Sequence, residues 1–146
     1  MAILVDYIDI HKLWQDNELI QLKIVCSSEI ITASAKIYVS DSLIDDLIYQ
    51  IRQFLNGQVM ESFWANEKKG DNSTACVSLR FFHKDRLGHV LIEVFMELDD
   101  GGNYSSHNCC FYLNTEIGLL TTFCERLPQL KEKTSGIRLV LNHEAV

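Results

Sequence analysis

Proline is nearly absent from this chain of 146 residues, where Pro128 is the single example. No apolar run approaches the roughly 20 residues that a membrane-spanning helix needs, so we expect no transmembrane segment. The first residues carry no basic segment and soon reach Asp6, which argues against a secretory signal peptide. Since no proline-rich linker or low-complexity tract divides the chain, the sequence predicts one domain over residues 1–146, located in the cytoplasm.

Basic residues are fewer than acidic ones. Thirteen Lys and Arg residues stand against twenty Asp and Glu residues, which gives a net charge of −7. A negative field opposes binding to the nucleic-acid backbone and to anionic membranes, so we expect neither as a partner. The charge would favour a basic protein partner, although solubility alone also accounts for a modest negative charge.

The sequence also lacks the motifs of catalysis and metal binding. Its five cysteines are odd in number and lie in apolar segments, which predicts reduced thiols rather than a disulfide framework. His83 and His89 are expected on opposite faces of one strand pair, and Cys109 and Cys110 on opposite faces of one strand, so neither pair converges as zinc ligands must. No nucleophile motif or phosphate-binding loop is present. We therefore predict no catalytic residue, no metal ligand and no cofactor.

Two hydrophobic periods follow one another along the chain. Alternation of apolar and polar residues predicts strands at about residues 3–10, 20–26, 31–39, 59–65, 74–84, 89–99 and 104–113, with a short last strand at 137–141. A helical stripe covers Leu43–Leu55, begun by Ser42 or by the competing cap Ser40 and ended by Gly57. A second helix is expected from about residue 114 to 127. The pattern predicts an α+β fold in the order βββα-ββββα(β), an antiparallel sheet of six to eight strands with two amphipathic helices on its inner face.

The registers of two hairpins follow from asking which pairing keeps apolar side chains on one face. A loop at Asp85–Gly88 does so for the first hairpin, and a loop at Asp100–Asn103 for the second. The predicted opposite pairs are His83 with Val90, Phe81 with Ile92, Leu79 with Val94 and Val77 with Met96, then Met96 with His107, Val94 with Cys109, Ile92 with Phe111 and Val90 with Leu113.

The other face of these strands carries the predicted partner-binding site. Arg80 is expected beside Glu93, an opposite-charge cross-strand pair that a solvated face favours. Four apolar side chains share that face, namely Phe82, Leu91, Phe95 and Tyr112. Contiguous apolar surface outside the core often marks a contact, although the N-terminal strands of the same chain could cover it instead.

A longer motif is similar to a known group of proteins. The segment Val77–Val90, followed by Glu93-Val94, resembles a bacterial group of small α+β proteins that share a "strand, Gly-His-Val, strand" hairpin. An earlier helix like Leu43–Leu55 and a late helix like Ile117–Leu127 extend the resemblance over nearly the whole chain, and Trp64 matches a short aromatic strand. Some members are immunity proteins of the WapI-like type, encoded beside secreted wall-associated toxins. The resemblance implies an immunity protein, and the group has no assigned catalytic residues to carry over.

Three functions stay open at this point. The first is a non-catalytic binding protein, most concretely an immunity protein that occludes a cognate bacterial toxin, since an acidic inhibitor suits a basic nuclease. The second is a small-ligand-binding protein or a hydrolytic enzyme with a site between sheet and helices, which a pocket holding His83, His107 and Cys109 would favour. The third is a homo-oligomeric module, such as a homodimer formed through the face of Phe82 and Tyr112.

Overall fold

The structure, a computed structural model, describes residues 5–67, 76–98 and 107–142. Within these ranges the strands are β1 (Tyr7–Gln15), β2 (Ile20–Ser27), β3 (Thr32–Val39), β4 (Glu61–Ala65), β5 (Cys76–His83), β6 (His89–Leu98), β7 (His107–Glu116) and β8 (Arg138–Leu141). The helices are α1 (Asp41–Leu55) and α2 (Ile117–Arg126), and a 3₁₀ turn (Leu127–Lys131) follows α2. The predicted α+β class and the order βββα-ββββα(β) are confirmed.

The eight strands form two antiparallel sheets of four. Sheet 1 has the order β3-β2-β1-β8, and sheet 2 has the order β4-β5-β6-β7. Most of β2 and β5 alternates in burial, because successive side chains point to opposite faces of a sheet. The inner faces of both sheets meet the helices in one hydrophobic cluster, to which β1 contributes Ile8 and Ile10 and β6 contributes Val90, Ile92 and Val94. Sheet 2 is therefore covered on its inner face.

Helix α1 packs on the inner face of sheet 2. Of the two serines considered as its cap, Ser40 accepts a hydrogen bond from the Leu43 backbone N–H at 3.3 Å, so Ser42 is not the cap. Gly57 follows the helix with a φ of +74°, the left-handed conformation that glycine adopts at little cost. The indole N–H of Trp64 in β4 donates to the Leu43 carbonyl at 2.9 Å. This bond ties the start of α1 to sheet 2.

The first strand lies later in the chain than predicted. β1 covers Tyr7–Gln15 rather than residues 3–10, and positions 3 and 4 of that prediction lie outside the described residues. Two features break the apolar alternation there. Lys12 occupies a fully buried position of the inner face, and the pairing with β2 shifts register between Lys12 and Trp14. A lysine at an inward-facing position and a β-bulge beside it interrupt the alternation of apolar and polar residues, so this pattern does not predict the second half of β1.

The Lys12 side chain is held by hydrogen bonds. Its ammonium group donates to the Gln15 side chain at 2.5 Å and to the Glu132 carbonyl, just after the 3₁₀ turn. Burial lowers the pKa of Lys12, against the charges of Asp41 and Glu132, which raise it. The residue therefore satisfies a helix-end carbonyl inside the protein.

The first hairpin of sheet 2 has the predicted register, whereas the second does not. His83 faces Val90 and Arg80 faces Glu93, as predicted. Between β6 and β7, Met96 faces Cys109 rather than His107, so every pair of that hairpin is displaced by two residues. A slip of two leaves the same side chains on the same face, and alternation cannot detect it. The predicted loop Asp100–Asn103 lies outside the described residues.

The pairing of β7 continues further than the sequence indicates. Glu116 pairs with His89, and α2 begins only at Ile117, about three residues after the expected start. Thr115 is 2% exposed because it lies in this strand, opposite Val90. The extra residues Asn114 and Thr115 of β7 make polar contacts with residues that flank sheet 1.

A polar latch connects sheet 2 to sheet 1. Asn142, just after β8, accepts a hydrogen bond from the Thr115 hydroxyl at 2.6 Å. Its amide nitrogen donates to the backbone carbonyls of Asp6 and Asn114, both at 2.7 Å. The Asp6 carboxylate in turn accepts from the Asn114 backbone N–H at 2.8 Å. The latch therefore fixes β7 relative to both ends of the described chain.

Candidate partner-binding face

One row of side chains crosses the outer face of sheet 2 on all four strands. The row contains Phe63 of β4, Arg80 of β5, Glu93 of β6 and Tyr112 of β7, each opposite the next. The Arg80 guanidinium lies 4.8 Å from the centre of the Phe63 ring, an arrangement that a cation–π attraction favours. Arg80 is 3.8 Å from the Glu93 carboxylate, and the Tyr112 hydroxyl donates to that carboxylate at 3.0 Å. The row is thus a continuous chain of contacts.

Both ends of the row are exposed aromatics. Phe63 is 44% exposed and Tyr112 is 48% exposed, whereas the charged centre is partly shielded. Arg80 also pairs with the Glu61 carboxylate at 3.1 Å, so it faces two carboxylates. The hydrogen bond to Glu93, together with the charge of that carboxylate, raises the pKa of Tyr112 above its usual range. We call these residues, together with the apolar side chains described next, the outer face.

The predicted apolar side chains complete the outer face beside this row. Phe82 and Leu91 lie opposite each other on one side of the row, and Phe95 lies on the other side. All three are half-buried, since each packs among its neighbours on the sheet. The structure therefore places Phe82, Leu91, Phe95, Arg80, Glu93 and Tyr112 on one face, as the sequence predicts.

The displaced register changes which of these residues are neighbours. The predicted pairs of Ile92 with Phe111 and of Val90 with Leu113 would place Tyr112 opposite Leu91, and that placement is wrong. Tyr112 lies opposite Glu93 instead, and Asn114 takes the place beside Leu91. A polar contact from Tyr112 to Glu93 thus replaces an apolar one.

No described element of the chain covers the outer face. The core cluster joins the opposite face of sheet 2 to sheet 1 and the helices, so the N-terminal strands pack on the inner side. On α1, for example, the Phe54 ring lies 6.2 Å from the ring of Phe81, an inner-face residue of β5. Among the described residues, the alternative in which the N-terminal strands cover this face is therefore wrong.

Phe63 and Glu61 belong to the outer face although sequence analysis did not select them. Their inclusion depends on β4 pairing with β5, which puts Phe63 opposite Arg80 and Glu61 opposite Phe82. In the structure Ser62 and Trp64 are buried and Phe63 is exposed. The period of two residues in a strand is the signal that could have placed Phe63 on the face opposite Trp64. It does not identify the neighbouring strand.

The residues named for a ligand pocket do not converge. His83 faces Val90 at one end of β6, and His107 faces Leu98 at the other. Eight residues at about 3.4 Å each separate these positions by about 27 Å along the strand. The His83 ring instead stacks on Phe54, with 4.2 Å between ring centres. The structure therefore gives no common pocket to His83, His107 and Cys109.

His89 lies on the outer side of the first hairpin and is engaged locally. Its Nδ1 atom is 2.5 Å from the Asp85 carboxylate, and Asp85 also accepts the Leu87 backbone N–H at 2.7 Å. The hydrogen bond from His89 contributes most to lowering the pKa of Asp85. This pair closes the hairpin turn. Within the described ranges, no group of three or more His, Cys, Asp or Glu side chains is placed to hold a metal ion.

The fold and this face define an α+β protein of two packed sheets, in which no element within residues 5–67, 76–98 and 107–142 covers the aromatic outer face of sheet 2. Comparison with models of protein families, with curated proteins and with solved structures gives no match for the chain. In the part that the structure describes, neither helix has the length and apolar character that a membrane crossing requires.

Proposed function

We propose that this protein is a non-catalytic binding protein whose outer face contacts another protein. The observation that carries the proposal is the row from Phe63 to Tyr112, which places exposed aromatics at both ends of a paired arginine and glutamate. Aromatic residues and arginine are enriched at the energetic centres of interfaces, where they bury large areas with few rotatable bonds. The apolar side chains of Phe82, Leu91 and Phe95 extend the same surface.

The charge of the chain supports a basic partner. A net charge of −7 speeds association with a positively charged protein and opposes self-association. The family resemblance of the Val77–Val90 hairpin adds a concrete class of partner, a bacterial toxin neutralised by an immunity protein. We therefore propose an immunity protein that occludes a basic toxin domain.

The test begins with the gene neighbourhood, where this proposal expects an open reading frame for a secreted toxin. The C-terminal domain of that toxin is co-expressed with this protein, and growth is the readout. Wild-type protein should restore growth, and the double variant Phe63→Asp, Tyr112→Asp should not. The double variant removes the two exposed aromatic side chains that the interface would bury, and it places two carboxylates that must be desolvated where the partner presents surface shaped for aromatic rings.

A matched double variant controls for the added charge. Tyr49 on α1 and Leu119 on α2 are also exposed, at 57% and 37%, and both lie away from the outer face. Tyr49→Asp, Leu119→Asp should restore growth as the wild type does. Growth restored equally by both double variants would refute binding through the outer face. A stable dimer that the outer-face variant dissociates, with no effect on any toxin, would favour the homodimer instead.

A further inference from the structure

One row of side chains on sheet 1 consists entirely of basic residues. Arg138 of β8 lies opposite His11 of β1. His11 in turn lies opposite Lys23 of β2, and Lys23 lies opposite Lys36 of β3. The residues directly before and after His11, Lys23 and Lys36 are buried, so the row points away from the core. We call these four residues the basic row.

The basic row places like charges side by side in the free protein. Like charges directly opposite one another in a sheet repel and destabilise the strand pairing. Arg138 is compensated, since its guanidinium donates to both oxygens of the Asp9 carboxylate, at 2.9 and 3.0 Å. Lys23 and Lys36 are exposed, and within the described ranges neither ammonium group has a hydrogen-bond or ion-pair partner. These two facing lysines therefore give sheet 1 a local positive charge.

An aromatic pair lies beside the two lysines. Trp14 of β1 and Tyr38 of β3 flank Gln21 of β2, in the row two residues along the strands from the basic row. The centres of the two rings are 5.9 Å apart, and the Gln21 side chain donates to the Tyr38 hydroxyl at 3.4 Å. Trp14 is 38% exposed and Tyr38 is 39% exposed. The rings thus lie about 7 Å from the lysines, because two residues of a strand span that distance.

The charge of this surface is opposite in sign to that of the whole chain. The net charge of −7 predicts no nucleic-acid partner, but it is a sum over all residues. The four strands of sheet 1 contain one acidic residue, Asp9, and Arg138 engages it. Asp16 and Glu18 lie in the turn after β1 and Glu29 in the turn after β2, at the ends of the strands. These carboxylates favour an anion that runs across the strands rather than along them.

No described element covers this surface. The opposite side of sheet 1 joins the hydrophobic cluster with sheet 2 and the helices. The two lysines, the two aromatic residues and Gln21 all lie within residues 5–67, which the structure describes without a gap. We call these five residues the basic face: Trp14, Gln21, Lys23, Lys36 and Tyr38.

We propose that the basic face binds single-stranded nucleic acid. Phosphates of the strand lie against Lys23 and Lys36, and a base stacks on the aromatic pair of Trp14 and Tyr38. Proteins that bind single strands without sequence preference combine positive charge for the backbone with aromatic rings for the bases. A bound phosphate also relieves the repulsion between the two lysines.

The aromatic pair favours this occupant over an acidic segment of a protein. Such a segment would satisfy the lysines alone, whereas every nucleotide carries both a phosphate and a base with a flat face. The inference is independent of the proposed function, because the basic face shares no residue with the outer face of sheet 2.

Fluorescence of Trp14 tests the stacking directly. In Trp64→Phe, Trp14 is the one remaining tryptophan, so a base that stacks on its ring should quench the emission. The probe is a single-stranded thymidine decanucleotide. Anisotropy of a fluorescein-labelled copy measures the affinity of the wild type and needs no change in the protein. Two phosphate contacts, each with a salt slope of about −0.7, predict that the affinity falls about sevenfold between about 50 and 200 mM salt. No quenching, or no binding by the wild type at low salt, would overturn the proposal.

Matched variants separate the contributions of charge and aromatic rings. Lys23→Gln, Lys36→Gln should weaken binding at low salt by at least about tenfold and flatten the salt dependence, whereas Arg86→Gln, in the turn between β5 and β6, should weaken it by less than about twofold. Tyr38→Leu should weaken binding by about fivefold or more, because it removes a ring on which a base stacks. Tyr49→Leu, on the exposed side of α1, should weaken it by less than about twofold.

Stability measurements distinguish loss of binding from loss of folding. Lys23→Gln, Lys36→Gln should unfold at the same urea concentration as the wild type or at a higher one, because it removes a repulsion between like charges. Binding that neither this variant nor Tyr38→Leu weakens would place the site elsewhere and overturn the proposal.

Other occupants of the basic face would give different results. Heparin, a sulfated polyanion without bases, should use the lysines alone, so Tyr38→Leu should not weaken its binding. Equal losses for heparin and the oligonucleotide in Tyr38→Leu would overturn base stacking. Tighter binding of a glutamate decapeptide than of the oligonucleotide would identify an acidic protein segment and overturn the proposal. A dimer that Lys23→Gln, Lys36→Gln dissociates would also overturn it, since a second copy would then occupy the face.

Discussion

The latch residue Asn142 should contribute strongly to stability although it lies near the end of the described chain. Its side chain makes three hydrogen bonds, to the Thr115 hydroxyl and to the carbonyls of Asp6 and Asn114. At about 1 kcal/mol for each intramolecular hydrogen bond, Asn142→Gly should lower the free energy of unfolding by about 3 kcal/mol. Asn142 has a φ of +77°, which glycine adopts freely. Asn142→Ala should therefore cost about 1 kcal/mol more, because alanine is strained in this conformation.

Urea unfolding followed by tryptophan fluorescence measures both values. Thr115→Val is a useful companion variant, since it removes only the hydroxyl that donates to Asn142 and keeps the side-chain shape. It should cost less than Asn142→Gly, and the double variant Thr115→Val, Asn142→Gly should cost less than the sum of the two. An Asn142→Gly variant as stable as the wild type would refute the latch. Equal losses for the Gly and Ala variants would refute the contribution of backbone strain.

Three further predictions concern the core and its ionisable groups. Trp14→Phe leaves only Trp64 in sheet 2, and Trp64→Phe leaves only Trp14 in sheet 1. Because the described residues of both sheets share one hydrophobic cluster, we expect one unfolding transition with the same midpoint from either tryptophan; two separate transitions would refute a single domain. Cys110 is exposed, whereas Cys26 is buried and its burial raises the pKa of its thiol. Iodoacetamide should therefore modify Cys110 in the folded protein and Cys26 only after unfolding, which peptide mass spectrometry measures. Modification of Cys26 in the folded protein would contradict its burial. The pKa of Lys12 is lowered from 10.5 in the folded protein, so between the two values the unfolded chain binds more protons than the folded one. The free energy of unfolding of the wild type, measured relative to Lys12→Met, should therefore rise with pH in this window. A difference that stays flat or falls would contradict the direction of the pKa shift.

The faces of the strands in sheet 2 could be predicted from sequence, but their neighbours could not all be predicted. Alternation placed Phe82, Leu91 and Tyr112 on one face, because one buried face forces apolar residues into every second position. It could not separate two registers of β6 and β7 that differ by two residues, and so it set Tyr112 opposite Leu91 instead of Glu93. The observed register is the one that also lets β7 reach Glu116 and the latch.

Contacts between elements distant in the sequence account for the remaining differences. Phe63 joins the outer face only because β4 pairs with β5, and no local pattern specifies that neighbour. The buried Lys12 finds its partner at Glu132, 120 residues away, so its inward position conflicts with every local rule for lysine. The division of eight strands into two sheets likewise depends on long-range pairing of β1 with β8.

Tyr112 gives the most direct test of whether the outer face of sheet 2 binds a basic partner protein. Isothermal titration calorimetry would measure the affinity of the co-encoded toxin domain for wild type, Tyr112→Ala and the control Tyr49→Ala, with circular dichroism to establish that each is folded. We expect the affinity to fall about tenfold or more for Tyr112→Ala, equivalent to about 1.4 kcal/mol, and less than about twofold for Tyr49→Ala. Equal affinities of Tyr112→Ala and the wild type would contradict the claim.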